Sequence, residues 1–313
     1  MSDFNLVSVV IPVYNLEYFL SATLDSVLSQ TYSNFEVLVV DDASTDGSKA
    51  VISAYQQRDS RVKLLANTHK KGASGTRNTA IDAAQGEWLA FLDGDDIWHP
   101  DALQSRLQVL AQYPDADFIS SDYAVFYNDI AQPEPSRASS NSVWQEYFGQ
   151  ALNSGEPVYL PKPLAAFLRT VLVHTDTVLV KTNLIKALKG FDESLPAAED
   201  VLLWVRLSAI SHFVFVPKTL AFYRQRPGSL TNSAKSLFHY APVAYKKLLS
   251  DPAFSHYKAE ITYNIQNFIN QNSFFYRKQK NYWQALLSSF EGVIWQPTAF
   301  LAWKNLFASL LLR

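Results

Sequence analysis

The chain contains no cysteine, so disulfides and thiolate-held metals are excluded, and any bound metal must sit on oxygen or imidazole donors. That favours hard cations such as Mg²⁺ or Mn²⁺. The six histidines show no His-x-x-x-His spacing, which argues against an imidazole-bound zinc. An excess of one charge is missing as well. With 27 basic and 29 acidic residues the net charge is -2, so the chain has no general attraction for polyanions and no nucleic-acid partner is expected. No apolar run is long enough to cross a bilayer, and Met1-Ser2-Asp3-Phe4-Asn5 lacks the pattern of a secretory signal. The expected address is cytoplasmic. Three catalytic signatures are absent too. The turn Val13-Tyr14-Asn15-Leu16-Glu17 has none of the glycines of a dinucleotide fingerprint, and neither a P-loop nor Gly-x-Ser-x-Gly occurs.

What remains is a chain of 313 residues, 48% hydrophobic and 14% aromatic, enough to bury a substantial core. Val7 to Val13 is a β-branched run, Tyr18 to Gln30 has helical spacing, and Phe35 to Val40 is a second buried strand. A helix to about Gln57, a strand at Val62 to Leu65, a helix at Gly75 to Ala84 and a strand at Leu89 to Leu92 follow. Strand and helix in alternation predict a parallel sheet with right-handed crossovers, whose ligands gather at the C-terminal strand edge. Further on, Asp101 to Ala111 reads as a helix and Asp117 to Phe126 as a strand, and Asn128 to Asn141 reads as an irregular excursion. Thr177 to Val180 resembles a strand, Leu184 to Leu188 and Val201 to Ile210 read as helices, and Phe213 to Val216 and Leu220 to Tyr223 as two paired strands. From Lys235 the pattern is helical and aromatic. In its last stretch Phe300, Trp303, Leu306, Phe307 and Leu310 share a helical face opposite Asn305 and Ser309. That apolar stripe is expected to pack on the domain, with a peripheral membrane contact as the sharper alternative.

The most informative segment is Trp88-Leu89-Ala90-Phe91-Leu92-Asp93-Gly94-Asp95-Asp96, where a buried strand delivers acids to one point. Alternation turns Asp93 and Asp95 to one side, with Gly94 leaving room for a ligand. Asp41-Asp42 ends an earlier strand and would share the same edge. An acid there can accept from a base imide or a ribose hydroxyl, whereas an acid facing a diphosphate needs a metal between. Asp41 to Ser44 also fits a helix cap. Tyr14 offers a flat face to a base. Arg77, near a helix start, either neutralises diphosphate or pairs with an acid, and Glu199-Asp200 opens a helix. Arg224 and Arg226 sit on a turn with Gly228 and Ser229 as a candidate anion clamp. His174 reads as a buried hydrogen-bonding residue.

Over Val7 to Ser229 the chain resembles the family 2 glycosyltransferases of GT-A fold. The pieces run in order: Val9 to Asn15, Ser29-Gln30-Thr31-Tyr32, Val39 to Ser48, Gly72 with Arg77-Asn78, and Phe91 to Asp96 with Pro100. Gly190-Phe191-Asp192-Glu193, Glu199-Asp200, Leu203 to Leu207, and Tyr223-Arg224 with Ser229 complete the set. The resemblance implies an α/β fold of GT-A type, a three-layer α/β/α sandwich with a mostly parallel central sheet and a helical C-terminal region. It divides the chain into a catalytic domain (1–234, nucleotide-sugar half 1–127 and acceptor half 128–234) and a helical extension (235–313).

The implied reaction is inverting transfer of a sugar from a nucleotide-diphosphate donor, with UDP preferred, to a glycan or lipid-linked acceptor. By the same resemblance Pro12, Tyr14 and Asp42 would line the base site, Asp93 would hold the ribose and Asp95 a Mg²⁺ or Mn²⁺ bridging the diphosphate. Asp200 would be the general base, with Glu199 second. Leu202 stands where the family often has an acid, and Arg226 where it often has a histidine, so Arg226 could contact phosphate directly. The rival readings are a silent nucleotide-sugar-binding protein and a sugar-1-phosphate nucleotidyltransferase, the latter disfavoured by the missing Gly-rich loop. The excursion from Asn128 to Leu168 and everything after Lys235 are expected to set acceptor choice.

Overall fold

The computed structural model describes residues 6–127, 129–226 and 237–311. Two compact units emerge, one of residues 1–194 and 203–226, the other of 195–202 and 227–313.

The first unit is built on a nine-stranded sheet. Strands β1 (Val7–Val13), β2 (Phe35–Asp41), β3 (Val62–Ala66) and β4 (Trp88–Phe91) form its parallel half in the order β3-β2-β1-β4. The rest is mixed. β8 (Leu179–Lys181) runs antiparallel to both β4 and β6 (Phe118–Phe126), and β6 is parallel to β9 (Phe213–Arg224). β5 (Ile97–Trp98) and β7 (Val158–Leu160) each pair antiparallel with a different stretch of β9. The two strands expected over 213–223 are thus one. Pro217 cannot donate to a ladder, and the register against β6 jumps from Ser121↔Val216 to Asp122↔Thr219. Pro217 and Lys218 bulge out, and the strand resumes instead of turning back.

Strand alternation explains the layers. Val9, Ile11, Val37 and Val39 face one core, which α1 (Leu20–Leu28), α2 (Ser48–Arg58) and α4 (Ala102–Gln108) cover with Leu20, Leu24, Val27, Ile52 and Leu103. Val10, Leu38, Val40, Leu89 and Phe91 face the other. That core is closed by α3 (Ala73–Ala83), α6 (Ser142–Ser154), α7 (Leu164–Arg169), α8 (Thr182–Ala187) and the Leu203 to Leu207 part of α9 (Glu199–Ser208). Between β6 and α6 the excursion carries, among its described residues, only the short α5 (Arg137–Ser140). Each fully buried Val, Leu or Phe contributes about 1.5–3 kcal/mol, so both faces of the parallel strands must be apolar. The ladder between β1 and β4 ends when the Leu92 N–H donates to the Val10 carbonyl at 3.1 Å. Beyond that rung the chain is free of the sheet, which is why the acids of 93–96 form a loop at its C-terminal edge.

The helices of the second unit are α10 (Leu237–Leu249), α11 (Lys258–Lys278), α12 (Tyr282–Trp295) and α13 (Phe300–Leu310). Here the expected orientation of α13 is reversed. Its buried residues are Ala302, Asn305 and Ser309, while Phe300 is 80% and Phe307 58% exposed, with Trp303 and Leu310 also outward. The seam it packs into is polar. Arg277 donates from Nη2 to Oδ1 of Asn305 at 2.8 Å and from Nη1 to Oγ of Ser309 at 3.1 Å. Ser273, Ser288 and Ser289 line the same seam on α11 and α12. Asn305 and Ser309 have neighbours able to satisfy them inside, so the polar face turned inward. α12 repeats the pattern, with Ser288, Ser289 and Gly292 buried and Trp283, Leu287, Phe290 and Ile294 exposed.

Candidate active site

The turn after β1 places Tyr14 at the surface, 48% exposed, with the Lys71 ammonium over its ring at 4.5 Å. Pro12 lies two residues beyond the last pairing of β1 with β4, where its missing N–H leaves no gap in that ladder. Asp42 follows β2 and is buried. One carboxylate oxygen accepts from Asn67 Nδ2 at 2.7 Å and the other from the Gly72 N–H at 2.8 Å, which ties the β3–α3 loop to the end of β2. Asp41 closes its own turn through the Ser44 N–H and meets Lys49 at 3.4 Å. The N-cap of α2 is instead Gly47, and Asp46 just ahead of it accepts from the Ser48 N–H at 3.0 Å.

From α3, buried Arg77 reaches Asp93, Nη2 to Oδ1 at 2.6 Å. Of the two roles left open for Arg77, the acid pairing is the one this arrangement contains. Asp95 is paired too, its Oδ2 accepting from Arg226 Nε at 2.7 Å. Arg224 binds the same loop twice, donating from its side-chain Nε to the Asp95 carbonyl at 2.8 Å and from its backbone N–H to Oδ1 of Asp96 at 2.6 Å. Both guanidinium groups of the pair stack on Phe19, at 5.2 and 5.0 Å. At Gly94 the space that a β-carbon would take is filled by the protein itself. A β-carbon there would come within 2.8 Å of Leu16 and 2.9 Å of the Pro12 carbonyl, so glycine is required by close packing of the loop against β1.

The acids that converge also differ from the expected pair. Asp93, Asp96 and Asp176 bring carboxylate oxygens within 4.8 Å of one another. Asp176, in the loop ahead of β8, accepts the Asp93 N–H at 2.8 Å and faces His174 Nδ1 at 3.1 Å. His174 lies between the rings of Tyr123 and Tyr223 and is only partly buried. Burial pushes the Asp96 carboxyl well up, with Asp176 and Asp95 adding to the effect. Burial acts on Asp176 in the same direction, but His174, Asp96 and the Asp93 N–H together hold it below the usual range. The two acids are thus driven in opposite directions, a division expected of carboxyls sharing one site. Burial likewise raises Asp93, against the pull of Arg77. Beneath them the fully buried Arg106 donates to the Asp176 carbonyl at 3.2 Å and to Ser121 Oγ, and burial pushes it down to about 9.

Asp176 did not figure in the sequence reading, and Asp96 stood in its acidic segment without a role of its own. The signal for Asp176 was an acid standing just ahead of the Val178-Leu179-Val180 run, the mirror of Asp93 standing just after one. The donor set suits a hard cation: the three oxygens are clustered, Oδ2 of Asp96 is buried and met by no donor when Asp96 is taken as a carboxylate, and Oδ2 of Asp176 has His174 Nδ1 at 3.1 Å. A proton on Asp96 or a bound cation satisfies the Asp96 oxygen equally.

Glu199 and Asp200 occupy the first turn of α9, in the second unit, and Oδ1 of Asp200 accepts the Val201 N–H at 2.7 Å. Ahead of them Ala198 has φ of 63°, a left-handed residue that sets the entry of the helix. Gly228 and Ser229 of the candidate clamp lie outside the described residues. A surface hollow of about 630 Å³ lies at the other end of β4, lined by Glu87, Asp117 and Lys181 among others, away from every residue singled out above.

The model of the family described as glycosyl transferase family 2 matches residues 8–174, a span that includes Tyr14, Asp42, Arg77 and the acidic loop but ends before Asp176, Asp200, Arg224 and Arg226. Among curated proteins, WfgD of Escherichia coli, a UDP-Glc:alpha-D-GlcNAc-diphosphoundecaprenol beta-1,3-glucosyltransferase, is 42% identical over 129 residues, 41% of this chain and 49% of its own. The chain thus spans about half the length of that relative. Among solved structures, residues 1–349 of S. aureus TarS in complex with UDP-GlcNAc align with a TM-score of 0.67 at 20% identity, covering 92% of this chain and 81% of that one. A mannosyltransferase of Pyrobaculum calidifontis, PcManGT, in complex with GDP-Man and Mn2+, aligns with a TM-score of 0.62 at 19% identity, covering 99% and 86%. These structural likenesses are likenesses of fold: the mixed α/β architecture with its central sheet is similar to that of GT-A glycosyltransferases.

Proposed function

The chain belongs to glycosyl transferase family 2, and from that premise we propose that it is an inverting glycosyltransferase. It would move a sugar from a nucleoside diphosphate, UDP by preference, to a hydroxyl of a glycan or lipid-linked acceptor in polysaccharide assembly. One observation carries the reading. Two sets of contacts meet the same strand edge, one joining Lys71 to Tyr14 and Gly72 to Asp42, the other joining Arg77 to Asp93 and both Arg224 and Arg226 to Asp95. Aromatic face, acceptor carboxylates and guanidinium groups are what a base, a ribose and a diphosphate require in turn.

In this reading Tyr14 stacks on the base beside Pro12, Asp42 accepts from its imide N–H, and Asp93 accepts from a ribose hydroxyl. Arg224 and Arg226 face the diphosphate. Asp95 would hold a Mg²⁺ or Mn²⁺, with Asp93, Asp96 and Asp176 as neighbouring carboxylates. When bound, the ion supplies positive charge against the leaving diphosphate. Asp200, with Glu199 beside it, takes the acceptor proton as the acceptor oxygen bonds to the anomeric carbon and the bond to diphosphate breaks. The diphosphoundecaprenol in the name of WfgD supports a lipid-linked acceptor. Together with the outward apolar face of α13 it supports peripheral contact with the cytoplasmic side of a membrane.

The test is turnover of a panel of UDP-sugars with Mn²⁺, comparing wild type with Asp95→Ala and Asp200→Asn. Losing a general base lowers the rate by roughly 10²–10⁴-fold, and a loss of that order is expected in the Asp200 variant. Equal turnover in all three proteins would sink the assignment.

A further inference from the structure

The acid proposed to hold the metal is already held by a cation. Arg226 Nε lies 2.7 Å from Oδ2 of Asp95, and the two side chains are 24% and 16% exposed. The guanidinium rests on the face of Phe19 beside that of Arg224. The first acid of the motif is matched in the same way, Asp93 by Arg77. A divalent ion arriving at Asp95 therefore competes with a half-buried guanidinium for Oδ2, and a diphosphate arriving at Arg226 meets a carboxylate already engaged there. Either ligand alone breaks a favourable pair and leaves one charge exposed to the wrong neighbour.

Resting on the reading of Asp95 as the metal ligand, we propose that the Arg226–Asp95 ion pair is an exchange latch that couples the two halves of the donor. The cation takes Asp95, and the released Arg226 turns to the diphosphate. Both displaced charges then find new partners in one event, so the ion and the nucleotide bind together better than the sum of each alone. By linkage each raises the affinity of the other by the same factor. This gives Arg226 a role that a histidine ligand at the position would not have, because guanidinium carries a permanent charge and no metal-binding lone pair.

The experiment measures Mn²⁺ binding by electron paramagnetic resonance, with and without saturating UDP, in wild type, Arg226→Gln and Arg226→Lys, none of it dependent on turnover. In wild type UDP should tighten Mn²⁺ binding. In Arg226→Gln, Mn²⁺ alone should bind roughly tenfold more tightly than in wild type, within the usual range of such couplings, and the gain from UDP should shrink by the same factor. Arg226→Lys keeps a cation on Asp95 and should stay near wild type. A damaged fold cannot imitate this result, since it would weaken the metal site. If Arg226→Gln binds Mn²⁺ no more tightly than wild type, or fails to fold while Arg226→Lys folds but binds Mn²⁺ as tightly as the glutamine variant should have, the latch is wrong and the donor site stands. If wild type binds neither Mn²⁺ nor UDP, the donor site is wrong and the latch falls with it.

Discussion

Replacing Asp176 with alanine removes the one carboxylate that touches the acidic loop from beneath. Its Oδ1 accepts the Asp93 N–H at 2.8 Å, and a hydrogen bond to a charged group is worth about 1.5–3 kcal/mol. It also supplies the negative charge felt by Arg106, which is fully buried and still charged at neutral pH. The hydrogen bonds of Arg106 go to neutral atoms, Oγ of Ser121 and the Asp176 carbonyl. Alanine would leave that guanidinium without a counter-charge, and stranding a buried ion costs about 3–5 kcal/mol in total. At roughly 2–4 °C per kcal/mol for a protein of this size, Tm should fall by about 6–20 °C. Asp176→Asn keeps the acceptor and loses only the charge, so it should fall between. The assay is thermal unfolding in EDTA near pH 7.5 of Asp176→Ala, Arg106→Met and the double variant. Because the second substitution removes the stranded charge, the double variant should lose less than the sum, by at least about 1 kcal/mol. A loss below about 1 kcal/mol for Asp176→Ala, with additivity to within about 0.5 kcal/mol, would refute the argument.

Three further outcomes are expected. Gly94→Ala forces a β-carbon to within 2.9 Å of the Pro12 carbonyl; overpacking of this kind costs about 1–3 kcal/mol, and calorimetry should find UDP binding weakened well before the fold is lost. Glu36 is buried, yet Lys63, Ser8 and the Gln85 N–H outweigh burial and hold its carboxyl below the usual 4.5. Its stabilisation is therefore present above that value and lost as pH falls through the lower folded-state pKa, so Glu36→Gln should flatten the acid limb of a Tm–pH curve. The effect is modest because Lys63 is 41% exposed, and an acid limb as steep as that of wild type would count against it. Trp303→Ser with Phe307→Ser, both on the exposed face of α13, should leave Tm within about 1 °C while reducing co-sedimentation with anionic vesicles. Undiminished co-sedimentation would remove α13 from the membrane contact.

The parallel half of the sheet was legible because its signals are local: Val7 to Val13, Phe35 to Val40 and Leu89 to Leu92 are largely apolar on both faces and each is followed by its own candidate site residue. The acids Asp42, Asp93 and Asp95 could be picked out for the same reason. Asp176 could not, since its importance comes from β8 running antiparallel beside β4, a pairing that no local pattern announces. Arg226 was visible as a cation but not as the partner of Asp95, 131 residues away. Pro217 looked like a turn between two strands because a break in β-propensity reads the same whether the chain reverses or bulges. The helical face of α13 was drawn correctly and its direction was not, because periodicity separates two faces without saying which one is inside.

That polar seam has a consequence for how the C-terminal helices find one arrangement. Apolar side chains are satisfied by many neighbours, so a greasy helix can slide by a turn at little cost. The fork of Arg277 reaches Ser273, Asn305 and Ser309 at once, and a shift of α13 by one turn would leave donors and acceptors facing the wrong rungs. The serines and asparagine thus act as a key cut for a single register, selecting one packing among many of similar strength. An outer surface built largely of Phe, Trp and Leu can then vary in sequence without the bundle losing its place.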